Sequence, residues 1–136
     1  MNKITRKEAI TLIKEFVKEV LSREEWYKNI ESEIKAIVWY GSVAKGLNRA
    51  DSDIDFYIIL PLEFEEKFTV GEYFYHFEGR EINIVLRSIE RMRKLARAQN
   101  DAFEAEVLRG CEIIWQKDGE VRELIDKIKR VNSCRV

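Results

Sequence analysis

Two aspartates, Asp53 and Asp55, stand one residue apart at the head of the apolar run DIDFYIIL. If that run is a strand, its side chains alternate between faces. The two carboxylates then project together while Ile54 and Phe56 point the other way. Like charges held side by side on a sheet raise each other's proton affinity and lose hydration, so the pair needs compensation. A divalent cation supplies it, and an all-oxygen ligand set selects a hard ion, Mg2+ or Mn2+, over zinc. One carboxylate can bridge two such ions about 3.5–4 Å apart, a spacing that activates an attacking oxygen and stabilises a leaving one. Taken alone, a D-x-D is better read as a solvated strand start in which Asp51, Ser52 and Asp53 make a turn.

The residues upstream change that reading. The apolar run IKAIVWY, residues 34–40, reads as a buried strand, and Gly41 ends it where the backbone must turn tightly. Ser42 offers a hydroxyl, and a helical turn over 42–47 would aim its first amides and its dipole at an anion. Lys45 adds a cation and Gly46 allows a close return into the next strand. A strand, a Gly-Ser, a helical turn and then D-x-D on a second strand together make a phosphate seat facing a metal site.

With those residues in place, GSVAKGLNRADSDID resembles the signature of the polymerase-β-type nucleotidyltransferases, most of all their small, single-domain minimal members from archaea and bacteria. The resemblance is strong over residues 34–60 and extends more loosely, as an order of elements, to about residue 116. It implies that Ser42 contacts nucleotide phosphates and that Asp53 and Asp55 bind the metals. An NMP then passes from an NTP to an acceptor hydroxyl with loss of pyrophosphate, AMP from ATP being the expected case. It also implies a third carboxylate on a later strand, and here the chain departs: in REINIVLR the aligned position is Asn83. An amide can ligate a metal through its oxygen but cannot take a proton from an acceptor. Glu81 shares the strand face by the same two-residue rule and is the substitute within reach. Minimal members paired with a HEPN-type helical partner act as antitoxins that modify it, which makes a partner protein the implied acceptor. The alternative is a degenerate nucleotide-binding module or inactive partner subunit, and Asn83 is the feature that favours it.

The elements that must hold this site can be read from periodicity. At 136 residues the chain is expected to be one domain. Its core spans about 34–116, with an N-terminal helix over 5–30 and a C-terminal helix over 119–131. Thr5-x-x-Glu8 and Ser22-x-x-Glu25 are capping-box patterns, predicting a helix that breaks and restarts before about Ile30. Residues 62–71 suit a short helix or a loop. EYFYHF and EINIVLR read as strands joined by a glycine turn across 78–80. Ser88 to about Arg109 reads as a polar helix, CEIIWQ as a last strand, and EVRELIDKIKRV as an amphipathic helix. The fold class is therefore α+β, close to α/β: a mixed sheet of about four to five strands backed by helices.

Bulk properties narrow the partners. With 24 basic and 25 acidic residues the formal net charge is −1, so no whole-molecule field favours a membrane surface, and nucleic acid is not the favoured partner. Cys111 and Cys134 are too few for a disulfide framework, and one histidine, His76, with no carboxylate partner near it in sequence, makes zinc or a Ser-His-Asp triad a poor fit. No apolar leader or run of about 20 apolar residues is present, so the expected location is the cytoplasm. The basic run Arg87, Arg91, Arg93, Lys94 and Arg97 is best read as a solvated helix face. Tyr73, Phe74, Tyr75 and Phe77 alternate sides of a strand, so part is expected in the core; one ring could stack on a base, but core packing is the favoured reading.

Overall fold

The computed structural model describes residues 5–40, 53–67, 72–98, 108 and 110–133. Helix α1 (Arg6–Glu19) starts at the expected capping box. Thr5 Oγ1 accepts from the Glu8 amide at 3.1 Å, and Glu8 Oε1 accepts from the Thr5 amide at 3.2 Å. The helix breaks and restarts as α2 (Glu25–Ile30), but the second capping box does not form. Leu21–Arg23 is a 3-10 turn, Glu24 takes the N-cap position, and Ser22 Oγ donates to the Lys18 carbonyl. A hydroxyl inside a helical turn bonds back to the carbonyl four residues earlier, which removes it from the amides ahead.

Five strands follow: β1 (Ala36–Tyr40), β2 (Ile54–Leu60), β3 (Glu72–Phe77), β4 (Arg80–Ser88) and β5 (Glu112–Gln116). They form one sheet in the order β3-β4-β2-β1-β5, with β2 and β4 parallel and the other neighbours antiparallel. The expected mixed sheet and α+β class are therefore present. Residues Leu62–Lys67, open between helix and loop in the sequence, form α3 after Pro61. The β3–β4 hairpin turns on Glu78 and Gly79, with φ of 52° and 77°, a two-residue turn that matches the right-handed twist of the strands. Helix α4 (Ile89–Ala98) begins after Ser88, whose Oγ accepts from the Arg91 amide at 3.2 Å, and α5 (Glu120–Ser133) closes the described chain. No helix among the described residues is long and apolar enough to cross a membrane.

The two sheet faces are covered by different helices. Ile37, Trp39, Ile54, Phe56, Ile58, Ile82 and Ile84 pack against Ala9, Ile13 and Phe16 of α1 and Tyr27 and Ile30 of α2. The other face joins Val38, Tyr57, Ile59 and Val85 to Met92 and Leu95 of α4 and Val121, Ile125 and Ile128 of α5. Strand β2 lies in the middle and is covered on both sides, which is why it reads as an almost unbroken apolar run. Phe16 carries α1 onto the sheet, edge-on to Phe56, Tyr75 and Phe77 with ring centroids 6.3, 5.3 and 5.4 Å away. Phe16→Ala is expected to cost about 3–5 kcal/mol, the range for truncating a buried aromatic, measured by urea unfolding.

Candidate active site

In β2, Ile54 and Phe56 face the α1–α2 core, so the alternate residues Asp55 and Tyr57 face the α4–α5 side. Asp53 stands immediately before the strand and falls on the same side as Asp55. The register carries this further. Tyr40, Asp55, Asn83 and Phe74 are successive partners across β1, β2, β4 and β3, so four side chains form one row on one face. Extending the β2–β4 register by one residue sets Asp53 beside Glu81, and Glu81 itself pairs in register with His76.

Asn83 joins the acids. Its Nδ2 donates to Asp55 Oδ1 at 2.8 Å and to Asp53 Oδ2 at 3.2 Å. One amide nitrogen thus stands between two carboxylates, where a positive charge would be most stabilised. Burial pushes the Asp55 carboxyl above its ordinary range; the Asn83 hydrogen bond opposes that shift, and the neighbouring Asp53 charge adds to it. Magnesium is commonly held by one or two carboxylates, with waters and substrate phosphates completing the shell. Two carboxylates converging on one point fit such an ion, and Asn83, whose amide nitrogen now faces them, offers an oxygen only if that amide turns over. Among the described residues no group of three or more His, Cys, Asp or Glu comes together to hold a metal.

The other sequence candidates divide. Glu81 is 54% exposed, and His76 Nε2 lies 3.6 Å from its Oε1, giving the histidine the carboxylate partner that was not visible along the chain. Gly41, Ser42, Lys45 and Gly46 lie outside the described residues, although Gly41 directly follows Tyr40, the register partner of Asp55. The basic run is largely tied up. Arg93 bonds Glu120 at 2.6 Å and Glu90 at 3.3 Å, Arg97 bonds Glu90 at 3.2 Å, and Arg87 lies over the Tyr57 ring at 5.6 Å. Cys111 is buried, and burial raises its thiol's proton affinity.

Tyr40 and Tyr57 were not singled out by sequence reasoning, yet their rings stack at 4.1 Å and 18° beside Asp55. Alternation along β1 and β2 was the available signal. Of the four hairpin aromatics, Tyr73, Tyr75 and Phe77 pack against the α1–α2 core, while Phe74 is 70% exposed on the acidic side.

This geometry can be set beside known proteins. The family model described as a nucleotidyltransferase domain matches residues 13–131. The chain belongs to that family. Thirteen chains of solved structures match this nucleotidyltransferase domain. One is a nucleotidyltransferase-like protein from Exiguobacterium sibiricum 255-15, similar at a TM-score of 0.56 with 11% identity, covering 88% of this chain and 38% of that one. At that identity the likeness shows the nucleotidyltransferase fold alone, and the domain spans little more than a third of the other protein's length. No curated protein matches the chain. Family membership makes nucleotidyl transfer the general chemistry of the domain, and the Asp53–Asp55–Asn83 cluster lies inside the matched residues.

Proposed function

We propose that this nucleotidyltransferase moves an NMP, AMP from ATP being the expected case, onto an acceptor hydroxyl with Mg2+ or Mn2+ bound. The observation that carries the reading is the convergence of Asp53 and Asp55 on one point of the middle strand, within the matched domain. In the reaction the acceptor oxygen bonds to the α-phosphorus, the α–β bridging P–O bond breaks, and pyrophosphate leaves with the bond's electrons. Asp53 and Asp55 would hold the ions, which would supply charge neutralisation for the phosphates and the attacking oxygen. Asn83 would join them through its amide oxygen. Gly41, Ser42, Lys45 and Gly46 seat the phosphates at the end of β1. The acceptor's proton passes to Glu81, the carboxylate that the extended β2–β4 register sets beside Asp53, which must leave His76 to receive it. The acceptor is a hydroxyl on a partner protein, of the HEPN type in the toxin–antitoxin sense, and the whole chain acts as one cytoplasmic domain built on a core of about 34–116.

The test incubates the purified protein with α-labelled ATP and Mg2+, with and without candidate partner proteins, and follows pyrophosphate release and transferred label. Glu81→Gln is expected to slow transfer about a hundredfold, the low end of a general base's contribution. Nucleotide affinity should be unchanged. A second reading is favoured by one observation, the Asn83 amide lodged between the acids: a module that binds metal and nucleotide without turnover. Tight metal-dependent binding with no transfer to any acceptor would support it.

A further inference from the structure

The row across the sheet has two ends. At the β1 end Tyr40 leads directly into Gly41 and the proposed phosphate seat. At the other end stands β3, which pairs only with β4 and so leaves its outer edge unpaired among the described strands. If the nucleotide enters from β1, the acceptor must come from β3. Phe74 is there, 70% exposed against 47% for Leu62 and 48% for Trp115, the other large apolar side chains left open among the described residues. It is anchored from behind, because Tyr73, Tyr75 and Phe77 on the same strand are packed into the α1–α2 core. Strand spacing of about 4.8 Å puts Phe74 about 10 Å from Asp55, within the reach of three or four extended residues.

The charge around Phe74 selects the kind of acceptor. Glu78, in the hairpin turn that ends this strand, is exposed; Arg80 beside it is buried, and the exposed His76 is already held by Glu81. A nucleic acid needs cations along its phosphates and would meet acids here. A polypeptide meets an open strand edge for its main chain, a ring for an apolar side chain and a carboxylate for a basic one.

We propose that the outer edge of β3, centred on Phe74, is the acceptor-side docking strip. It takes an extended polypeptide segment that sets an apolar residue beside Phe74 and a basic residue near Glu78. The residues that follow this segment carry the accepting hydroxyl across Phe74 to Asp53 and Asp55. The inference rests on the reading of the site as a nucleotidyl-transfer centre.

The test is binding, so it needs no turnover. A fluorescent seven-residue peptide alternating valine and serine, with a lysine at each end, is titrated into the full chain with Mg2+ and a non-hydrolysable ATP analogue, and amide shifts are mapped by NMR. Binding is expected with shifts concentrated in residues 73–77. Phe74→Ala should weaken it at least about tenfold, the effect of losing a central contact, and Phe74→Tyr should retain it. Exchanging the lysines for aspartates should weaken it to a similar degree. The proposal is overturned by any of four results: no binding at about 1 mM peptide, the weak end of specific affinity; equal binding by Phe74→Ala; shifts elsewhere on the surface; or tighter binding of a short oligoadenylate than of the peptide. If the ATP analogue still binds with Mg2+ while the peptide does not, only the docking strip falls. If the analogue fails to bind, it is the transfer reading that fails.

Discussion

Asn83→Asp is expected to raise the rate of label transfer about a hundredfold, because a carboxylate at that position can accept the acceptor's proton beside the ions where an amide cannot. The same change carries a cost without metal. Asn83 now donates one hydrogen bond to each of two aspartates, and a third carboxylate would replace both with repulsion. In EDTA the variant should lose about 1–3 kcal/mol, the range for stranding partly buried polar groups. Saturating Mg2+ should reverse the order of melting temperatures. Glu81→Gln, costly in the native background, should become nearly silent once Asp stands at position 83, and a double-mutant cycle measures that coupling. A variant that binds Mg2+ more tightly yet transfers no faster would show that proton transfer is not what limits this site, and would move the balance to the binding module.

Asp55→Asn should do the reverse: slow transfer by about a thousandfold, several kcal/mol of lost transition-state stabilisation, while making the metal-free protein more stable at neutral pH. The sign follows from the direction of the Asp55 shift. Its folded-state proton affinity lies above the ordinary value of 3.8, chiefly through burial. The folded state therefore holds that proton more tightly than the unfolded chain does, and stability falls as pH climbs from the ordinary value through the raised one. Above that window the penalty is fully present, and the neutral amide removes it. The two melting temperatures should therefore converge in acid and separate toward pH 7, with the asparagine variant higher. Added Mg2+ binds only the native pair and should close or invert the gap. Thermal melts across pH, with and without the ion, check all three points; a variant less stable than the parent at pH 7 in EDTA would contradict the account of Asp55.

Local rules made much of this legible. Thr5 and Glu8 form their box because the motif is self-contained within one turn. The hairpin at Glu78–Gly79 was marked by its glycine, and the shared face of Asp53 and Asp55 follows from alternation alone. Ser22 misled because the same hydroxyl has a competing acceptor behind it, the Lys18 carbonyl, and a short motif does not say which partner wins. The rest depended on register. His76 meets Glu81, and Phe74 meets Asn83, only because β3 folds back on β4 with Phe77 opposite Arg80. The parallel pairing of β2 with β4, which brings Asn83 to the aspartates, joins residues 28 positions apart through α3 and β3, and no local pattern encodes it. For the same reason alternation could say that some hairpin rings would be exposed, but not that helices would cover three and leave Phe74.

The central place of β2 also governs how the protein can come apart. A backbone amide in the middle of five strands, with helices on both faces, opens to solvent only when nearly everything opens, whereas fringe strands can fray separately. Amide hydrogens of Phe56 to Ile59 should therefore exchange with deuterium at the rate of global unfolding, and those of β3 far sooner. The acids would then keep their mutual placement for as long as the domain exists at all, while the outer margin of the sheet stays free to adapt.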